Sequence, residues 1–140
     1  MSVLKVYNKN IKGVICMTYQ KDFTTTYTIA GHKYTVTAPA LFDSVTNEIV
    51  PDNKLDDQAA EIARQQYRNE MGLVSPTAIK EFCTKNKLSQ RDLAKLTGLS
   101  LNTIALYEAG EFPTKTNNKI LKSLMHNYNT YFLNNKKGRQ

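Results

Sequence analysis

Alternating apolar and polar positions mark two neighbouring segments in the first third of the chain. Residues 23–29 and residues 32–38 each place every second side chain on one face, which predicts two β-strands joined into a hairpin at Ala30-Gly31. Only Gly31 accepts a positive φ without cost, so a longer loop remains an alternative. Pro39 lacks a backbone donor and is expected to end the second strand.

Helical spacing replaces this alternation farther along the chain. After the turn-rich segment 43–54, the apolar positions predict an amphipathic helix to about residue 70, which Gly72 closes. Ser75 followed by Pro76 is typical of a helix start, so the next helix is expected over residues 76–86. The boundary between two modules is therefore placed at residues 72–76. This predicts a first domain over 1–72 and a second over 73–140.

The segment SQRDLAKLTGLSLNTIALYEAG, from Ser89 to Gly110, has the pattern of a helix-turn-helix. Ser89, with Asp92 three residues later, predicts a capped first helix. Gly98 suits a left-handed turn, and Ser100 can cap the second helix. Apolar residues at helical spacing predict a common core of Ile79, Phe82, Leu93, Leu96, Leu99, Ile104 and Tyr107.

The charge of the chain is distributed unevenly. Of 19 basic and 12 acidic residues, 8 and 8 lie in residues 1–74 and 11 and 4 in residues 75–140, so the net charge of +7 belongs to the second half. A basic module beside a neutral one is typical of a protein that faces phosphates at one end. It favours double-stranded DNA as a partner over the alternative that the apolar spacing also fits, a helical hairpin in a small bundle.

Residues 89–110 resemble the Cro/repressor-type helix-turn-helix family, and residues 23–128 resemble the MqsA-like antitoxins of bacterial toxin–antitoxin systems. The resemblance is carried by the hairpin FTTTYTIAGHKYTVTAPA, the helix LDDQAAEIARQQYRNEMGL and the segment SPTAIKEFCTKNKLSQRDLAKLTGLSLNTIALYEAGEFP. The expected fold class is α+β. A small N-terminal β-hairpin or sheet module with a helix would precede an all-α helix-turn-helix domain.

A helix-turn-helix places the start of its second helix in the major groove. There Asn102 can pair bidentately with adenine, Thr103 can contact base or phosphate, and leucine or alanine can touch thymine methyl groups. The predicted base-contact residues are Leu101, Asn102, Thr103, Ala105 and Leu106. The predicted phosphate-contact residues are Ser89, Gln90, Arg91, Lys115 and Lys119, although each cation among them could equally be a solvated surface charge.

The resemblance also implies a zinc-bound N-terminal module with two CxxC pairs, and this chain has neither pair. Its only cysteines, Cys16 and Cys83, lie 67 positions apart, so a four-cysteine site cannot form. A mixed site using His32 and His126 would lack the local spacing of zinc sites. We expect no metal and no cofactor, with a core formed instead by Val14, Ile15, Leu41, Phe42 and Val45.

A last helix is predicted after Pro113, with an apolar stripe at Ile120, Leu121, Leu124, Tyr128 and Phe132. The surplus apolar residues Met125, Tyr128, Tyr131 and Phe132 could pack against a second copy or close the monomer's own core. A homodimer would cover two operator half-sites. Glu108 pairs with a basic residue in the family, but Cys83 occupies that partner position, so Lys80, Lys87 or solvent is expected to meet Glu108.

Composition is that of an ordinary cytoplasmic protein, with 41% hydrophobic and 22% charged residues and no apolar run long enough for a signal peptide or a membrane span. No motif predicts an enzyme. One hypothesis is an antitoxin that binds a toxin through its N-terminal half and represses its own operon. The alternative is a phage or mobile-element regulator whose N-terminal half is an interaction or dimerisation domain without a toxin.

Overall fold

The computed structural model describes the backbone of residues 4–11 and 14–137 and the side chains of residues 17–128. An antiparallel sheet with strand order β1-β2-β3-β4 comes first, and helices follow. The strands are β1 (Leu4–Ile11), β2 (Val14–Ile29), β3 (His32–Asp43) and β4 (Ile49–Val50). The helices are α1 (Asn53–Met71), α2 (Pro76–Lys85), α3 (Gln90–Thr97), α4 (Leu101–Ala109) and α5 (Lys115–Lys137). The predicted α+β class is confirmed.

Two compact units divide the chain, Met1–Tyr67 and Arg68–Gln140, and the division falls within α1. The boundary predicted at residues 72–76 lies after the end of that helix. Gly72 closes α1 as expected, with φ +66°. The last turn of α1 thus belongs to the second unit, and the functional limits of the domains stay a prediction.

A two-residue turn joins β2 to β3. Ile29 pairs with His32, and φ is +49° at Ala30 and +82° at Gly31, as a type I′ hairpin turn requires. The longer loop considered from the sequence is therefore wrong. Alanine pays the steric cost of the left-handed conformation because its Cβ approaches the following carbonyl group.

The hairpin buries one face and exposes the other. Tyr34, Val36 and Ala38 of β3 form a core with Ala63 of α1, which is fully buried. The opposite face carries exposed threonines in cross-strand pairs. The hydroxyls of Thr24 and Thr37 lie 2.7 Å apart, and those of Thr26 and Thr35 lie 3.4 Å apart.

The expectation that Pro39 ends the second strand is wrong, because β3 continues to Asp43 and Pro39 pairs with Asp22. Hydrogen-bonded and non-hydrogen-bonded pairs alternate along an antiparallel ladder. Counted from the hydrogen-bonded pair Ile29–His32 that closes the turn, Asp22–Pro39 falls on a non-hydrogen-bonded position. The missing N–H of proline therefore points away from β2 and costs that ladder nothing.

The core expected in place of zinc is confirmed in part. Leu41 and Phe42 are buried, whereas Val45 is 86% exposed, so its assignment to the core is wrong. Val45 lies in a turn where Asp43 Oδ1 accepts hydrogen bonds from the backbone N–H groups of Thr46, at 3.0 Å, and Val45, at 2.7 Å. These bonds lower the pKa of Asp43. Val14 and Ile15 lie outside the side chains that the structure describes.

The second unit encloses an apolar core beneath the helix-turn-helix. Its buried residues are Val74, Ile79, Cys83, Leu93, Ile104, Tyr107 and Leu121, and Phe82, Ala94 and Leu99 pack against them. Leu96 was expected in this core, but it is 44% exposed. It borders an open groove of about 590 Å³ together with Ile120, Leu124 and Tyr128.

Asn118 of α5 is buried and holds the loop between α1 and α2 by hydrogen bonds to its backbone. Its Oδ1 accepts from the N–H of Val74 at 2.8 Å, and its Nδ2 donates to the carbonyl of Gly72 at 2.9 Å. One side chain thus satisfies both a donor and an acceptor that helix termination leaves unpaired. No helix within the described residues is both long and apolar enough to cross a membrane.

Substitution Ala30→Asn should stabilise the first unit, because asparagine tolerates the left-handed turn position better than alanine. We expect the free energy of local opening to rise by about 0.5–1 kcal/mol. Amide hydrogen exchange of β2 and β3 measures this quantity for the unit by itself. The matched control is Gly31→Ala, which meets no atom within 4 Å and so should destabilise by backbone strain alone. Equal exchange rates in all three proteins would contradict the type I′ turn.

Candidate nucleic-acid interface

The first helix of the motif, α3, begins with a capping box. Ser89 Oγ accepts from the N–H of Asp92 at 3.1 Å, and the N–H of Ser89 donates to Asp92 Oδ2 at 2.9 Å. The bond from the Ser89 backbone is the main reason that the pKa of Asp92 is lowered. The cap uses only the acceptor side of the Ser89 hydroxyl, so its proton can still be donated to a phosphate oxygen.

The turn and the second helix follow the sequence prediction. Gly98 ends α3 with φ +76°, and the N–H of Gly98 donates to the carbonyl of Ala94 at 2.9 Å. Ser100 then caps α4, where its Oγ accepts from the N–H of Thr103 at 3.1 Å. The two hydroxyls of Ser100 and Thr103 also lie 2.8 Å apart. The local helix-turn-helix geometry is therefore fixed by groups that the sequence identifies.

The side chains of α4 divide into an inner and an outer set. Ile104 is fully buried and Tyr107 is 3% exposed, so both belong to the core. Leu101 is 41% exposed and Leu106 42%. Asn102 is exposed as well, and Thr103 and Ala105 are half-buried. All five predicted base-contact residues thus keep some surface in contact with solvent.

Exposed cationic side chains lie on the first helix of the motif and on the helix that follows it. Arg91 and Lys95 of α3 and Lys115 and Lys119 of α5 are all exposed. Thr114 precedes α5, and its Oγ1 accepts from the N–H of Asn117 at 3.2 Å, so the first turn of α5 is also capped. Arg91 therefore lies in the first turn of α3 and Lys115 in the first turn of α5, where the positive end of each helix dipole adds to their charge. Lys119 lies one turn farther along α5.

Glu108 meets neither of the lysines that the sequence suggested. Gln90 Nε2 donates to Glu108 Oε2 at 2.8 Å, so the prediction of Lys80 or Lys87 is wrong, and the carboxylate keeps only part of its surface in solvent. Nothing in the local spacing reveals this pair, because the two residues are 18 positions apart. The bond ties the first residue of α3 to the last turn of α4 and orients the Gln90 amide.

Cys83 is buried beneath these helices. Burial raises the pKa of its thiol, and the carboxylates of Glu108 and Asp92 raise it further. The thiol is therefore held in its neutral form and behaves as a small apolar core residue.

Arg68 holds the end of α4, and sequence reasoning missed it. The residue is fully buried. Its Nη2 donates to the carbonyl of Gly110 at 3.1 Å, and its guanidinium carbon lies 5.3 Å from the centroid of the Phe112 ring. A cation at a helix C-terminus also complements the helix dipole. The sequence contained one indication of this contact. Gly110 marks the end of α4, and the carbonyl groups at a helix end need hydrogen-bond donors.

Tyr107 links α4 to the start of α5. Its hydroxyl oxygen accepts from Asn117 Nδ2 at 2.8 Å. Together with Arg68 this bond fixes the C-terminal half of α4 on two sides. The helix that carries the predicted base-contact residues is therefore hydrogen-bonded to neighbouring groups at both ends.

The surplus apolar residues of α5 face the protein's own core, as far as they are described. Leu124 and Met125 pack against the core, and the Tyr128 ring meets the Phe82 ring edge-on at 5.3 Å. This favours the second of the two alternatives for those residues. Tyr131 and Phe132 lie outside the described side chains.

Metal-ligating side chains do not gather anywhere in the part of the chain that the structure describes. No three or more His, Cys, Asp or Glu side chains lie close enough together to hold a metal ion among the residues with described side chains. Cys16 lies outside that part. His32 instead stacks at a tilt against Tyr67, with 6.0 Å between ring centroids.

Comparison with known proteins identifies the second unit's motif. Residues 79–132 match the helix-turn-helix family of the Cro/C1 type, a DNA-binding domain of transcription regulators. The match begins within α2 and ends within α5, so it includes α3 and α4 completely. No curated protein matches the chain significantly.

Substitution Gln90→Glu should weaken DNA binding, because it places a carboxylate beside Glu108 and beside the expected phosphate. A bond to a charged group is worth about 1.5–3 kcal/mol, so an affinity loss of about tenfold or more is expected for every duplex alike. Gln90→Ala is the control, since it removes the same bond without adding charge and should cost less. Fluorescence anisotropy against several duplexes measures both. Wild-type affinity for Gln90→Glu would show that the start of α3 lies away from the DNA backbone.

Proposed function

We propose that this DNA-binding transcription regulator is a sequence-specific repressor that acts as an antitoxin and represses its own operon as a homodimer. The helix-turn-helix domain at residues 79–132 is the premise. The observation that carries the proposal is the exposed side of α4, which is hydrogen-bonded at both ends, in a domain whose helices α3 and α5 carry exposed cations.

In this proposal α4 lies in the major groove and its outer residues read bases. Asn102 is the hydrogen-bonding reader, and Leu101, Thr103, Ala105 and Leu106 add contacts of shape and apolar surface. Contacts to phosphates set the register without reading sequence. They are made by Ser89, Gln90, Arg91, Lys115 and Lys119.

Homodimer formation follows from the operator geometry that such domains require. A two-fold dimer binds two half-sites about 34 Å apart, one helical turn of DNA, on the same face of the duplex. The groove lined by Leu96, Ile120 and Leu124 offers apolar surface for a second copy. The proposed homodimer and the proposed spacing of the two half-sites therefore stand or fall together.

The first unit is proposed to bind a protein toxin. Its support is the resemblance of residues 23–128 to MqsA-like antitoxins, together with the uncharged threonine pairs on the exposed hairpin face. A face without net charge suits protein contact better than phosphate contact. The alternative, a phage or mobile-element regulator without a toxin, uses the same face for interaction or dimerisation.

Two substitutions separate base reading from phosphate contact. Asn102→Ala should remove adenine preference at one position of each half-site and cost about 1–3 kcal/mol on the operator. Lys115→Ala should weaken all sequences equally and reduce the slope of log affinity against log salt by about one unit. Selection from random duplexes, followed by titration at several salt concentrations, measures both effects. An unchanged selected site for Asn102→Ala would remove α4 from the role of reader.

Truncation tests the division of labour between the units. The sequence places the start of the DNA-binding domain at residue 73, but Arg68 is buried within the second unit. A fragment of residues 62–140 should therefore bind the operator with nearly full affinity, and a fragment of residues 73–140 should bind it but melt at a lower temperature. If the open reading frame next to this protein's gene encodes the proposed toxin, its expression should stop cell growth. The full chain should rescue such cells, whereas both fragments should fail to do so. Loss of operator binding in both would show that the first unit holds the dimer together and would favour the alternative without a toxin.

A further inference from the structure

We propose that α4 recognises C5-methyl groups of pyrimidines in the major groove, through Leu101, Ala105 and Leu106. The inference rests on the proposed operator binding and adds to it the chemical feature that is read. Thymine and 5-methylcytosine both present this methyl group, so the shared chemistry is the methyl group itself.

The outer face of α4 is almost entirely aliphatic. Successive residues of an α-helix are rotated by about 100°, which places positions 101, 102, 105, 106 and 109 on one arc. Leu101, Ala105, Leu106 and Ala109 of this arc are aliphatic, and Asn102 is polar. Ile104 and Tyr107 occupy the opposite side and are buried, so the arc is the side that faces solvent.

Hydrogen-bonding side chains elsewhere on α4 are already engaged. The Thr103 hydroxyl lies 2.8 Å from that of Ser100, and the Glu108 carboxylate accepts from Gln90. The sequence of α4, LNTIALYEA, contains no arginine or lysine. Arginine and lysine are the usual ligands of guanine O6 and N7, so this helix lacks the commonest means of reading a G·C pair.

Two leucines with about two fifths of their surface exposed carry an apolar patch that water solvates poorly. In the major groove the C5-methyl group is the largest apolar group on a base edge, because cytosine carries only a hydrogen atom at that position. The exposed cations of α3 and α5 in the same domain supply charge that attracts phosphates. A nucleic acid duplex therefore matches both the patch and its surroundings.

The test uses an operator selected from random duplexes by the full-length protein. Each thymidine is then replaced singly by deoxyuridine, which removes one methyl group and keeps every hydrogen-bonding atom. We expect one or two positions in each half-site to lose affinity about three- to fivefold, the effect of one buried methyl group. In a second arm, the sensitive T·A pair is replaced by C·G and by 5-methylcytosine·G. The methylated duplex should bind more tightly than the unmethylated one.

Variants of the protein assign the contact to particular side chains. At the position that each leucine touches, Leu101→Ala or Leu106→Ala should bind the thymidine and deoxyuridine duplexes with equal affinity. Comparison with the wild-type protein completes a double-mutant cycle, which measures the coupling between the leucine and the methyl group. Asn102→Ala and Lys115→Ala are matched controls on and beside the same helix, and both should keep the full deoxyuridine penalty. The two leucines are exposed, so circular dichroism should report wild-type folding for their variants.

The outcomes distinguish this inference from the proposed function. If no duplex is enriched during selection, sequence-specific repression is wrong and the inference is wrong with it. If an operator is found but no deoxyuridine substitution changes its affinity, the inference alone is wrong. A deoxyuridine penalty that persists in both leucine variants would overturn the assignment to α4. A thymidine-specific effect without a gain from 5-methylcytosine would contradict recognition of the methyl group as such.

Discussion

The interaction on which the second unit depends is the burial of one side of two very short helices. α3 has 8 residues and α4 has 9, and helices of this length are unstable in isolation. Leu93 and Ile104, both fully buried, hold them to a common core with Leu121 of α5. The opposite side of α4 remains exposed because the core needs only two of its residues, and this exposed side is what the domain can offer to a ligand.

Packing alone does not position a helix to the accuracy that recognition requires. Ser100 fixes the first turn of α4, and Arg68 and Tyr107 fix the last. Arg68 belongs to α1, outside the matched residues 79–132. α4 therefore depends on a residue outside the matched domain, and a change in the last turn of α1 would reach α4 through one hydrogen bond to Gly110.

Local features were predictable from the sequence, and long-range ones were not. The caps at Ser89 and Ser100 and the turn at Gly98 were predicted correctly, because each depends on atoms a few residues apart. Leu96 fitted the helical period of the core but lies at its border, and the pair Gln90–Glu108 joins residues that only the packed helices bring together. The expectation that Pro39 ends its strand was wrong, because a proline disrupts a ladder only at a hydrogen-bonded position. Which positions are hydrogen-bonded depends on the register between two strands, and the sequence of one strand does not reveal it. The buried side of α4 was predicted at Ile104 and Tyr107, whereas the base contacts expected on its other side stay a prediction.

The buried Asn118 has a consequence for how the chain is digested. Proteases cleave segments that can extend into their active sites, and loops between compact units are their usual targets. Here both the Gly72 carbonyl and the Val74 amide are bonded to one side chain of α5. The segment that looks most like a linker in the sequence is thus tied down, and cleavage in the native protein should begin elsewhere, with the exposed turn around Val45 as the more accessible site.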